Sequence, residues 1–404
     1  MASSRIGIWF IGACGGVAST VTLGLVALQR RLVGTTGLVS GLPQFAGLDF
    51  APWDSFVVGG HEIREGTIFD TLRRLHQESR VLDAGLIESC RLELEAAQAR
   101  IRPGTLANCG STIANLAGPA IRDRAPEPAR KTIDRVQRDL EEFRAKSEAE
   151  RVIVVNVAST EPAGDASALP HRWETLSRDL ETVEFNKLPA SSLYAIAALD
   201  LGMAYINFTP SLGSAPAAIQ ELAELRGTCH AGQDGKTGET LLKSVLAPMF
   251  AARNLEVLSW VGHNIFGNLD GQVLEDPANK AAKIKSKDEL LGRILGYDPQ
   301  TLVTIEYIRS LGDWKTAWDH IHFRGFLGTP MMLQFTWQGC DSLLAAPLVL
   351  DLARFVELAH RGGERGVLAH LGSFFKRPMG LEEHDFSRQF SLLCQWADAR
   401  APRA

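Results

Sequence analysis

Arg5-Ile-Gly-Ile-Trp-Phe-Ile11, followed at once by Gly12-Ala-Cys-Gly-Gly-Val-Ala-Ser-Thr20, decides the fold. The first seven residues form a continuous, β-prone apolar run, the pattern of a strand covered on both faces. The next nine make a glycine-rich turn, and an apolar helix runs on to about Arg31. Strand, turn and helix start together form a seat for a pyrophosphate. Glycine lets the backbone come close, and the free N–H groups and dipole of the helix favour an anion. The expected fold class is therefore α/β, with a Rossmann-type sheet whose cofactor contacts fall on Gly12, Ala13, Cys14, Gly15, Gly16, Val17 and Thr20. The spacing is G-x-x-G-G rather than G-x-G-x-x-G. The acid that usually holds the adenosine ribose about 20 residues on is not evident, since Asp49 and Asp54 lie further along.

Working outward, 404 residues are too many for one simple core, and two domains are expected. Apolar residues make up 45% and charged residues 22%, ordinary values for a globular enzyme. A net charge of -5 leaves no basic excess to neutralise phosphates, which argues against a nucleic-acid partner. The six cysteines are scattered with no C-x-x-C pair, as expected of reduced thiols in a cytoplasm. The apolar start is too short and too glycine-punctuated for a signal peptide or a membrane span, so no membrane partner is expected.

In chain order, residues 55–58 read as a strand ending in a second glycine pair, Gly59-Gly60, a further loop at the ligand edge of the sheet. Helices are expected at 66–79, 83–101 and 126–146, the last with a solvated charged face. Residues 151–157 are the clearest buried strand, and Asn156, Ser159, Thr160 and Glu161 stand at its carboxyl end. A strand at 203–206 leads to Asn207, Thr209 and Ser211, with Ser214 as cap and Pro216 in the first turn of a helix at 215–225. That helix start is as consistent with a plain cap as with a phosphate site.

Gly232-Gln-Asp-Gly-Lys-Thr-Gly-Glu-Thr240 then delivers Asp234 and Lys236 to a helix carrying Lys243. A strand at 257–261 precedes Asn264 and Asp270, which together with Asp234 are expected on glycine-flanked turns, where loops carry function. Lys280, Lys283, Lys285 and Lys287 form a cationic run whose plainest explanation is a solvated helix face. Residues 302–307 and 331–337 read as strands, with His320 and His322 on a short segment between them. Without a third ligand this H-x-H pair indicates no metal site. Lys315 is expected on a turn, Asp341 opens a buried helix interrupted by Pro347, and Lys376 follows an aromatic pair, where desolvation can depress a pKa.

Taken together, these stretches resemble the myo-inositol-phosphate synthases, in their compact archaeal-type branch. The resemblance rests on Gly12-Ala-Cys-Gly-Gly-Val-Ala-Ser, the 232–243 stretch, Asn264-Ile-Phe-Gly-Asn-Leu-Asp-Gly271, Lys283-Ile-Lys-Ser-Lys287, Gly312-Asp-Trp-Lys315, Asp341-Ser-Leu-Leu-Ala-Ala-Pro-Leu and Phe374-Phe-Lys376. It implies conversion of glucose 6-phosphate to an inositol monophosphate, with NAD oxidising and later reducing the same carbon. It implies a Rossmann domain (1–231 and 341–404) interrupted by a mixed α/β catalytic and tetramerisation domain (232–340), and hence a homotetramer. By the same resemblance Lys283, Lys287, Lys315 and Lys376 are the catalytic cluster, oriented by Asp234, Asp270 and Asp341 with Asn264 nearby. Cofactor contacts extend to Gly59, Gly60, Asn156, Ser159, Thr160, Asp234 and Asp270. Substrate contacts fall on Asn207, Thr209, Ser211, Lys236 and Lys243. A divalent metal or monovalent cation fits this branch, although the sequence shows no ligand cluster. An NAD-dependent sugar-phosphate dehydrogenase shares the glycine turn and lysines but would accumulate NADH. A non-catalytic NAD-binding scaffold would have no need of the lysines.

Overall fold

The computed structural model of the chain describes residues 4–181, 187–275 and 290–401. Arg5–Ile11 is strand β1, buried at every residue after Arg5, and Gly16–Gln29 is the helix that follows. Six further strands join it: β2 (Phe56–Glu62), β3 (Ile101–Pro103), β4 (Ala149–Asn156), β5 (Ala204–Asn207), β6 (Cys229–Gly232) and β11 (Gly366–Val367). Their order is β11-β6-β5-β4-β1-β2-β3, and every neighbouring pair is parallel. Read from the β3 edge, the first six strands follow 3-2-1-4-5-6, the order of a dinucleotide-binding sheet with its switch point between β1 and β4.

Both faces of this sheet are covered, which is why β1 and β4 read as unbroken apolar runs. On one side Ile8, Phe10, Ile153 and Val155 share a core with Val21 and Leu25 of the first helix and with Val349 and Phe355 of the helix Asp341–Arg361. On the other, Trp9, Ile11, Val152 and Val154 meet Ile133, Leu140, Leu193 and Ile219. These belong to the helices Ala129–Lys146, Ala190–Asp200 and Ala217–Arg226.

A second, mixed sheet holds β7 (Glu256–Phe266), β8 (Gln300–Tyr307), β9 (Trp314–Arg324) and β10 (Pro330–Cys340) in the order β10-β9-β7-β8. β7 and β8 are parallel, and the other pairs are antiparallel. One face packs on the helix Gly238–Ala252, where Trp260 and Ile321 meet Ala247 and Phe250. The register places Leu302, His263, Trp318 and Met332 on the opposite face.

Several sequence expectations are corrected. Gly59 and Gly60 lie inside β2, not in a loop. A Cβ on Gly59 would stand 2.8 Å from Phe143 and 2.9 Å from Trp9, and one on Gly60 would collide with the Phe10 carbonyl, so close packing selects both. The expected 83–101 helix is two short helices, and Ile101 begins β3. Asn264 sits within β7, and Lys315, His320 and His322 lie on β9, because the alternation Ala317, Asp319, Ile321, Phe323 makes one long strand. Ser214 does not cap the following helix: its hydroxyl pairs with Nδ1 of His230 at 2.9 Å, and the cap position is Pro216. β6 and β11 were not foreseen.

Candidate active site

A cavity of about 450 Å³ opens beyond the carboxyl ends of β1, β4 and β5 and is walled on its far side by residues from the second sheet and its loops. Gly12, Gly15, Gly16 and Val17 line it after β1. Gly12 has φ +84°, and a Cβ there would lie 3.0 Å from Ala158 Cα. A Cβ on Gly16 would run into the Ser342 hydroxyl. The cradle thus depends on missing side chains, and the helix start behind it has no acidic residue in its first turn. This fits a dinucleotide pyrophosphate. Ala13, Cys14 and Thr20 do not line the cavity. The Cys14 thiol is pushed up to about 12, first by burial and then by Glu62.

At the end of β2, where a dinucleotide-binding fold usually carries an acid, stands Glu62. Its Oε2 accepts the Cys14 N–H at 2.8 Å, and its Oε1 accepts the backbone N–H groups of Ile63 and Arg64 at 2.8 and 3.1 Å. The Arg64 guanidinium adds a contact at 3.3 Å. Glu62 therefore holds the glycine turn and Arg64 together at the cavity edge. Its signal was present in Gly60-His-Glu-Ile63, with Glu62 four residues beyond the expected end of the strand.

After β4 and β5 the polar side chains bind one another. Asn156 donates to Asn207 Oδ1 and Thr209 Oγ1, both at 3.2 Å, and Asn207 donates to the Ser211 carbonyl at 2.7 Å. Asn156, Ser159, Thr160, Thr209 and Ser211 line the cavity, while Asn207 lies behind them. Glu161 also lines it, buried against the N-terminus of the helix Ala190–Asp200, where it accepts the Ser191 N–H at 2.9 Å. Burial raises its carboxyl to about 7, against the pull of the Ser191 and Ser211 hydrogen bonds. Its place at the ligand edge was read from the sequence, but its burial was not, because nothing in its local sequence signals burial.

Two lysine–carboxylate pairs face this space. Lys376 Nζ lies 2.9 Å from Asp234 Oδ1, and Lys315 Nζ lies 3.6 Å from Asp341 Oδ1 and 4.9 Å from the centre of the Phe266 ring. Asp234 has φ +64° and is fixed by its backbone: its N–H donates to the Thr209 carbonyl, and its carbonyl accepts the Lys376 N–H at 2.7 Å. Asp270 accepts from the Thr160 hydroxyl at 3.4 Å. Asp313, unforeseen although it is two residues before Lys315, organises the start of the helix Asp341–Arg361. It accepts the Ser342 N–H at 2.8 Å, the Ser342 hydroxyl at 3.0 Å and the Cys340 thiol at 2.7 Å. Burial raises its carboxyl above the usual range.

The remaining expected residues are placed elsewhere. Lys236 turns to Gln389 behind the cavity, and Lys243 pairs with Glu239 at 2.7 Å beneath Trp260. Neither lines the cavity. Asn264 is fully buried, with neither amide atom hydrogen-bonded among the described residues. Lys280, Lys283, Lys285 and Lys287 lie outside the described residues. Among those described, no group of three or more His, Cys, Asp or Glu is placed to hold a metal ion.

A sequence profile of the family described as myo-inositol-1-phosphate synthase matches residues 42–398. The chain is 31% identical to inositol-3-phosphate synthase 1 of Bacteroides thetaiotaomicron, covering 98% of this chain and 94% of that one. It is 28% identical to inositol-3-phosphate synthase 1 of Rattus norvegicus, covering 93% and 74%. Among solved structures, inositol-3-phosphate synthase from Caenorhabditis elegans superposes with a TM-score of 0.86 at 23% identity, covering 99% of this chain and 86% of that one. A myo-inositol-1-phosphate synthase-related protein from Thermotoga maritima gives 0.77 at 21% identity, covering 98% of each. With the order of the parallel sheet and the cavity at its switch point, these likenesses agree on one assignment. The chain belongs to the myo-inositol-1-phosphate synthase family.

Proposed function

We infer that the chain cyclises D-glucose 6-phosphate to 1D-myo-inositol 3-phosphate by oxidation at C5, enolisation at C6, closure onto the C1 aldehyde and re-reduction at C5. Membership of the family makes it an NAD-dependent inositol-phosphate synthase and an isomerase. NAD, when bound, supplies the hydride acceptor and donor for a single carbon. The chain's own residues must do the rest. Gly12, Gly15 and Gly16 seat the pyrophosphate, and Asn156, Ser159, Thr160, Asp234 and Asp270 complete the cofactor side.

Negative charge develops on the C5 and C1 oxygens beside a phosphate dianion. Cations fixed in a water-poor site stabilise it, and an amine there can also move a proton. The observation that carries this reading is that Lys376 with Asp234 and Lys315 with Asp341 face one cavity together with the glycine turn. We assign the proton at the C1 oxygen to Lys376 and that at the C5 oxygen to Lys283. Lys287 and Lys315 then hold phosphate and enolate, and Thr209 and Ser211 line the sugar. A substrate deuterated at C5 tests the cycle: the inositol phosphate should keep the label. Its loss would overturn a single-carbon oxidation and re-reduction.

We assign residues 1–231 and 341–404 to the NAD-binding unit and 232–340 to an inserted catalytic and tetramerisation unit. Sheet membership of the strands supports that division. A homotetramer is supported by the open face of the second sheet, where Leu302 and Met332 are 49% and 67% exposed. Six cysteines free of disulfides accord with a cytoplasmic protein. No helix among the described residues is long and apolar enough to cross a membrane.

A further inference from the structure

Lys236 is a buried ammonium that the chemistry above leaves unused. It is 3% exposed, and its side chain points toward the helix Phe386–Asp398. There Nζ donates to Oε1 of Gln389, itself fully buried, and stands 5.9 Å from the centre of the Phe386 ring. Among the described residues no carboxylate lies within ion-pair distance of it. Asp385 attracts it from further off, but that carboxylate is committed to capping the helix through the N–H groups of Ser387 and Arg388. Burial outweighs this attraction and lowers the lysine to about 7. An ammonium buried without a counterion is costly, and a methionine would fill a similar volume without that penalty. Packing alone gives no reason for a lysine here.

The backbone supplies the reason. The Lys236 N–H donates to the Phe374 carbonyl at 2.8 Å, the Lys376 N–H donates to the Asp234 carbonyl at 2.7 Å, and Gly235 bridges Phe375 between them. A three-residue segment thus carries Asp234 at one end and Lys236 at the other, clipped to the segment that carries Lys376. Gln389 is oriented too: its amide N–H donates to the Glu383 carbonyl at 2.5 Å, leaving Oε1 aimed at Lys236. Asp234 needs such support. Its backbone is left-handed, a strained conformation for a non-glycine residue, and among the described residues one of its carboxylate oxygens is hydrogen-bonded and the other is not.

We propose that Lys236 is a positioning residue: through Gln389 it braces the Asp234 segment against the C-terminal helix and so keeps the Asp234 carboxylate on the Lys376 ammonium. The proposal rests on the reading of Asp234 and Lys376 as a reacting pair.

Steady-state kinetics, melting temperature and NAD affinity should be measured for Lys236→Met, Gln389→Leu, the double variant and Gln389→Glu. The expected Lys236→Met protein is folded, melts no lower than wild type and binds NAD unchanged. Its kcat falls at least thirtyfold while KM stays within threefold. Gln389→Leu should lose a similar factor, the double variant should lose no more than either single one, and Gln389→Glu, which keeps an acceptor, should recover most of the loss. A folded Lys236→Met protein with kcat within threefold of wild type would overturn the proposal, as would losses that multiply in the double variant. If Lys236→Met does not fold, equal kcat in Gln389→Leu and Gln389→Glu overturns it. Asp234→Asn and Lys376→Ala separate the two levels. Turnover surviving in those variants removes the underlying reading, whereas turnover lost there but kept in Lys236→Met removes the brace alone.

Discussion

Lys376–Asp234 and Lys243–Glu239 are both buried ion pairs of nearly the same length, 2.9 and 2.7 Å. The second is the more deeply sealed, with each side chain 1% exposed against 9% and 5% in the first. Yet only the first pair stands on a cavity wall. Lys243 and Glu239 are one helical turn apart, so their pairing follows from local geometry. Lys376 and Asp234 are 142 residues apart and meet only because the C-terminal segment returns across the parallel sheet. Depth of burial therefore does not single out the lysine proposed to react. Open volume beside the pair, and the long chain detour that builds it, do.

The comparison breaks most sharply at Lys376. Lys376→Ala should lower turnover per folded molecule by about 10³-fold or more, the scale of a lost acid–base group or charge stabiliser. Near-normal kcat in a folded variant would put Lys376 in the same class as Lys243. The reverse pattern is expected of Lys243→Ala. Removing the ammonium from so deeply buried a pair should cost about 3–5 kcal/mol in denaturant unfolding, with turnover per folded molecule little changed. A stable Lys243 variant without activity would mean that the sealed pair reaches the substrate after all.

Glu161 sharpens the contrast, being a buried acid on the cavity wall with no lysine partner among the described residues. Its carboxyl is raised to about 7 in the folded protein from an ordinary value of 4.5. The native state therefore holds an extra proton between those limits, and the stability this contributes is lost as pH rises from about 4.5 through about 7. Relative to wild type, Glu161→Gln should gain up to about 3 kcal/mol across that window, read from unfolding midpoints at stepped pH. A flat difference would mean that Glu161 stays ionised throughout. The smallest effect concerns the glycine turn. Gly16→Ala pushes a methyl group into the Ser342 hydroxyl, and overpacking of about 1–2 kcal/mol should weaken NAD binding roughly tenfold by fluorescence titration, without altering the open cavity's lysine pairs.

Much of this was legible in the sequence for physical reasons that can be named. β1, its glycine turn and β4 announce themselves because strands covered on both faces must be continuously apolar. Lys315, Lys376, Asp234 and Asp341 were picked out by the family resemblance, with Asp234 also marked by its glycine-flanked turn and Lys376 by the aromatic pair before it. Asn264 was misplaced because His263-Asn-Ile-Phe-Gly reads as a turn only if the strand is stopped at Val261, whereas the buried alternation Trp260, Gly262, Asn264, Phe266 carries it on. Gly59 and Gly60 misled for the opposite reason. Glycine selected by the bulk of Trp9, Phe143 and Ala13 cannot be told from glycine selected by a ligand until the neighbours are placed. Lys236 and Lys243 were grouped with the substrate residues since sequence gives the spacing of a cation but not the side of the loop on which it emerges.

The most direct test is to supply purified protein with glucose 6-phosphate and NAD well below the substrate concentration, following both product and NADH. The account predicts many turnovers to inositol phosphate per NAD with no net accumulation of NADH. NADH rising in step with an open-chain keto sugar phosphate would contradict it and identify a dehydrogenase.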